Sequence, residues 1–84
     1  MPIISRFYGI TIKIYFIQKE HNPPHIHALY GDYACAISII DGSVLDGNIP
    51  NRALELVREW IIKNKQALLK IWNTQEFVKI PPLE

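Results

Sequence analysis

The stretch His25-Ile26-His27-Ala28-Leu29-Tyr30-Gly31-Asp32-Tyr33-Ala34-Cys35-Ala36-Ile37-Ser38-Ile39-Ile40 decides the fold. Two apolar-rich runs, His25 to Tyr30 and Tyr33 to Ile40, flank Gly31-Asp32. A two-residue loop led by glycine suits a type II′ hairpin turn. That turn sets Tyr30 opposite Tyr33, Ala28 opposite Cys35 and Ile26 opposite Ile37. These side chains share one sheet face with Ile39. It is the more apolar face, and a helix is expected to cover it. The other face carries His25, His27 and Leu29 opposite Ser38, Ala36 and Ala34. The two imidazoles emerge side by side there, with Cα atoms ~6.5 Å apart. Small residues across the strand leave the rings room, although small-against-large pairing is also ordinary packing.

Outward from the hairpin, more strands follow. Ile10 to Phe16 alternates with period two, as a half-buried strand does. Ile3 to Tyr8 is rich in strand formers and ends at a turn signal, Gly9. Asp41-Gly42 offers a second tight turn into Ser43-Val44-Leu45. An antiparallel meander of four to five strands results. The second half is helical from Pro50, which suits a first helical turn, to about Trp72. Ala53, Val57, Trp60, Ala67, Leu68 and Ile71 form its apolar stripe. Glu55 with Arg58, and Glu59 with Lys63, are spaced for ion pairing. Asn64 falls on the stripe and predicts a bend or a second helix start between Lys63 and Lys65. The tail from Phe77 to Leu83 is extended, since Pro81-Pro82 cannot continue a helix. The expectation is a single α+β domain over residues 1–84, its C-terminal helix, bent or split, packed on one sheet face.

Composition narrows the function. The 84 residues carry nine basic and eight acidic side chains, a net charge of +1. Such balance gives no bulk attraction to nucleic acid or an anionic membrane. Arg52, Arg58, Lys63, Lys65 and Lys70 are interleaved with Glu55 and Glu59, a solvated face rather than a nucleic-acid stripe. No apolar run approaches the ~20 residues of a membrane span. The first residues do not read as a signal peptide. One cysteine, Cys35, cannot staple the domain, which fits a reducing cytoplasm; it reads as a small buried hydrophobe.

The candidate site is His21-Asn22-Pro23-Pro24-His25-Ile26-His27, which holds all three histidines of the chain. His25 and His27 on one face can ligate one ion, a divalent transition metal such as zinc, and His21 could fold over as a third ligand. Pro23-Pro24 would stiffen the loop that brings it there. A fourth ligand is missing locally: Asp32 lies at the far end of the hairpin, and Asp41 and Asp46 beyond the next turn. The plain alternative is a polar turn whose imidazoles bond to backbone groups. The same histidines are candidate acid–base catalysts, with Tyr30, Arg6 or Ser38 as assistants. Tyr30, however, points to the opposite face in this register, and no nucleophile motif or phosphate loop accompanies them. Leu54, Leu56, Ile61, Ile62, Leu69 and Trp72 exceed what one stripe needs. They point to a partner or homo-oligomer, unless the tail covers them through Phe77, Val78 and Ile80.

Three segments together resemble a small prokaryotic family, the domain of unknown function DUF4160. They are Met1-Pro2-x-Ile4-Ser5-Arg6-Phe7-Tyr8-Gly9-Ile10, His21-Asn22-Pro23-Pro24-His25-x-His27-x-x-Tyr30-Gly31 and Pro50-x-Arg52-Ala53-Leu54-x-Leu56-Val57-x-x-Trp60. The resemblance implies that the motif histidines are His21, His25 and His27, and the motif tyrosine Tyr30. It further implies a cytoplasmic protein acting with a second small protein, in a toxin–antitoxin-like pair. Two functions are therefore expected from different classes: a partner-binding protein with the histidine cluster as its site, or a metal-dependent hydrolase or nuclease using the same residues.

Overall fold

The structure is a computed structural model, and it describes residues 3–14, 23–74, 76 and 78–83. Five strands come first: β1 (Ile3–Phe7), β2 (Ile10–Lys13), β3 (His25–Tyr30), β4 (Tyr33–Ser38) and β5 (Val44–Asn48). One helix, α1 (Asn51–Thr74), follows. The sheet order is β1-β2-β3-β4-β5, with every neighbouring pair antiparallel. This is the expected α+β meander with a C-terminal helix. β2 was expected to reach Phe16, but Tyr15 and Phe16 lie outside the described residues.

The central hairpin has the predicted register, from His25 opposite Ser38 to Tyr30 opposite Tyr33. Gly31 has φ +59°, while Asp32 is absent from the positive-φ residues. That combination is type II′ rather than I′, which needs both central residues at positive φ. The Pro24 carbonyl accepts from the Ile39 amide at 2.9 Å, so the ladder extends one step beyond the hairpin.

One face of the sheet packs under α1. Ile4, Ile10, Ile12, Ile26, Ala28, Cys35, Ile37 and Ile39 are buried there, against Ala53, Val57, Trp60, Ile61, Leu68 and Ile71 of the helix. Each fully buried aliphatic side chain contributes about 1.5–3 kcal/mol. Tyr30 and Tyr33 share this face in register but are exposed, at the hairpin tip. Two details of the helix differ from expectation. Ala67 is exposed and Ile61 is buried in the stripe. Glu55 pairs with Arg52 at 3.8 Å instead of Arg58, because the Arg58 guanidinium donates to the Gly42 carbonyl at 2.8 Å. The Lys63–Glu59 pair forms at 3.5 Å. Pro50 stands just before the helix, its carbonyl accepting from the Leu54 amide, the bond a cap position makes.

The bend expected between Lys63 and Lys65 falls on Asn64, whose φ/ψ of −121°/20° is not helical. Its side-chain amide donates to the Trp60 carbonyl at 2.9 Å, holding the turn together across the bend. The tail then returns along β1. Ile80 donates its amide to the Ile4 carbonyl at 2.9 Å, and the Trp60 indole donates to the Pro81 carbonyl at 3.0 Å. Ile80 and Leu83 are buried, whereas Val78 is exposed and Phe77 lies outside the described residues. Most of the surplus apolar helix surface is thereby accounted for. Ile61 is buried, Leu54, Leu56, Leu69 and Trp72 pack partly against the core, and Ile62 stays 76% exposed.

Candidate functional site

β3 carries His25 and His27 on the face turned away from the core, as the register requires. Their ring centroids lie 5.1 Å apart, with the planes at 65°. The surface is not wholly bare of the helix, however. Trp72, near the end of α1, brings its ring to 5.2 Å from that of His25. His25 begins its strand and so lies within reach of the far end of the helix. His21 and Asn22 lie outside the described residues. Among the described residues there is no group of three or more His, Cys, Asp or Glu side chains arranged to hold a metal ion.

The Pro-Pro segment orients the first ring. His25 donates Nδ1–H to the Pro23 carbonyl at 2.9 Å. A carbonyl oxygen only accepts, so in the neutral ring the proton sits on Nδ1 and Nε2 carries the lone pair. This is the backbone bond expected of a structural turn. It is also the bond that orients a ligating or proton-carrying imidazole.

His27 is half-buried, and burial, followed by the neighbouring His25, pushes its pKa below the ordinary histidine value, while Asp46 opposes the shift. A neutral imidazole is the form that accepts a proton or ligates a metal.

Asp46 is the residue that sequence reasoning placed too far away. In the sheet it pairs with Ala36, which pairs with His27, which pairs with Lys13. One row across four strands therefore reads Lys13, His27, Ala36, Asp46, on the face away from the core. Ala36, being small, leaves a gap between imidazole and carboxylate. A β-bulge completes the arrangement: Ala36 faces Asp46 but Ile37 faces Val44, so Leu45 is the extra residue. Neighbouring strand residues normally point to opposite faces, and a bulge re-aims one of them. Leu45 and Asp46 accordingly both line the cleft, of about 400 Å³, with Pro23, His25, His27 and Ala36. Gly47 follows with φ +78°, and a Cβ there would overlap the Ala34 carbonyl oxygen. An Asp-Gly pair inside an otherwise strand-forming segment was the available signal of this bulge.

Tyr30 stands at the other end of the hairpin and in register with the core face. It takes no part in the cleft, nor does Arg6, on β1. Ser38 is buried, and its hydroxyl accepts from the Ile40 amide at 3.1 Å. Cys35 is buried on the helix side, and burial raises its thiol pKa, as expected of an inert core cysteine.

The fold and cleft define a small α+β protein with a five-stranded meander under one bent helix and a histidine pair at the sheet surface. The model of a domain-of-unknown-function family, DUF4160, matches residues 9–73, well over half of the chain, and the chain belongs to that family. No curated protein and no solved structure matches it. No helix among the described residues is long and apolar enough to cross a membrane.

Proposed function

We propose that this protein is the partner-binding component of a small cytoplasmic two-protein system, toxin–antitoxin-like, and that the His25/His27/Asp46 cleft is its working face. The observation that carries the reading is the cleft itself. Two imidazoles and a carboxylate stand in an open concavity whose rim includes the exposed side chain of Leu45. A second small protein, or a second copy of the chain, would meet hydrogen-bonding rings and an apolar side chain side by side. The test is co-expression with the protein encoded by the neighbouring gene. The expected result is a complex that co-purifies with the native chain and is lost with Leu45→Asp and with a His25→Ala, His27→Ala double variant, each still folded by circular dichroism. A lone monomer at high concentration, with the neighbour failing to co-purify, overturns the proposal.

A second reading is a hydrolase or nuclease using a divalent metal such as zinc. One observation favours it: the Pro23 carbonyl engages Nδ1 of His25, which leaves Nε2 as the ligating nitrogen of the neutral ring, and His27 is biased to the neutral form that a metal needs. His21 is the remaining candidate ligand. Metal analysis of untagged protein tests it. Stoichiometric zinc lost in the double variant supports it; metal-free protein with no hydrolytic activity removes it.

A further inference from the structure

A second cleft opens at the β1 edge, remote from the histidines. It has a volume of about 610 Å³, and Ser5, Arg6 and Lys79 line it together with Ile3, Ile80 and Pro82. The β1 edge is the outer edge of the sheet, and the tail runs beside it through the Ile80–Ile4 hydrogen bond. Two cations therefore face one concavity from two separate chain segments, while no acidic side chain among the described residues lines it. Neither cation forms an ion pair with any described residue. The third polar group is unusual. Ser5 is 7% exposed, and its Oγ is buried with no hydrogen-bond partner among the described residues. Buried hydroxyls are nearly always satisfied, and an exception calls for an explanation. The β1 bulge between Ile3 and Ser5 gives the local reason: it breaks the alternation, so that Ile4 and Ser5 are both buried.

We propose that this cleft binds a small amphipathic anion. Its oxyanion head, a carboxylate or a phosphate monoester, would lie between Arg6 and Lys79. Its short apolar body would rest on Ile3, Ile80 and Pro82. Guanidinium and ammonium donors make charge-assisted hydrogen bonds to such heads, and an apolar wall with a few placed polar groups is the usual make-up of a small-ligand site. β2 separates this edge from the histidine strands, so the assignment stands independently of the partner reading.

The test is a nuclear magnetic resonance titration of the full chain with hexanoate, hexyl phosphate and, as the uncharged control, hexanol. Saturable shifts of the Ser5, Arg6, Lys79 and Ile80 amides with at least one anion are expected, and hexanol leaves them unmoved. The anion that saturates first identifies the head group. Arg6→Gln with Lys79→Gln weakens binding about a hundredfold, roughly tenfold per charge-assisted contact. Absence of saturation by either anion at millimolar concentration overturns the proposal. So do shifts that survive the double variant, or shifts that hexanol reproduces.

Discussion

His27 is held near neutrality by two effects that act in the same direction, its own burial and the adjacent His25, with Asp46 pulling the other way. The consequence for stability follows from linkage. An imidazole whose folded pKa lies below its unfolded value of ~6.5 stays neutral in the fold while the unfolded chain takes up a proton. Acidification below ~pH 6.5 therefore favours the unfolded state until the folded pKa is passed. The urea midpoint of the native chain is expected to fall between about pH 7 and pH 5.5, and His27→Gln to flatten that part of the profile. Identical slopes for the two proteins would show that this ring does not govern the acid response. The facing of the two imidazoles was legible from the sequence, because Gly31-Asp32 fixes the register and the register fixes every side chain's face. The Trp72–His25 contact was not, since it depends on how far the bent helix reaches over the strand end. Nor could the sequence foresee the Pro23 carbonyl as partner of His25; only a known path of the proline turn brings the two together.

At the scale of the element, β5 carries the part of the cleft that reading by alternation misses. Strict period two puts Leu45 and Asp46 on opposite faces, and the bulge overrides it. Gly47 secures that geometry. Its φ of +78° suits glycine, and an added Cβ would run into the Ala34 backbone. Gly47→Ala is therefore expected to destabilise the domain by about 1–3 kcal/mol. It should also shift the amide resonances of Ala36 and Asp46, measured with urea melts and backbone spectra of the same variant. Retention of native stability would mean that β5 tolerates a flatter path than the structure gives it. In α1 the signals were of unequal quality. Asn64 on an apolar stripe correctly marked the bend, because a polar side chain there must find a partner and finds the Trp60 carbonyl. Ala67 was misplaced because the stripe was continued through the bend as though the helix were straight. The Glu55 pairing was misassigned because helical spacing cannot register the competing Gly42 carbonyl that takes Arg58.

Across the whole molecule, the tail joins the first strand to the middle of the helix. Its two buried side chains, Ile80 and Leu83, together contribute about 3–6 kcal/mol, a large share of the ~5–15 kcal/mol typical of a domain. Deleting residues 79–84 is expected to bring the protein close to unfolding at 37 °C. The Ile80→Ala variant alone is expected to lower stability by about 2–5 kcal/mol, read from thermal and urea melts. A truncated chain that melts like the native one would show that the strap merely lies on the surface. The sequence identified this segment as extended but could not say which residues would cover the helix. Leu83 does so where Val78 was expected, because the tail's path over Trp60 is set by the Pro81 carbonyl.

Each described strand of the meander hydrogen-bonds only to strands adjacent to it in the chain, so the sheet can zip up through closures between chain neighbours alone. The Ile4–Ile80 bond is different: it joins nearly opposite ends of the chain. Weakening that seam would then leave the refolding rate almost unchanged and accelerate unfolding, so that the domain's lifetime, rather than its speed of assembly, resides in its last few residues.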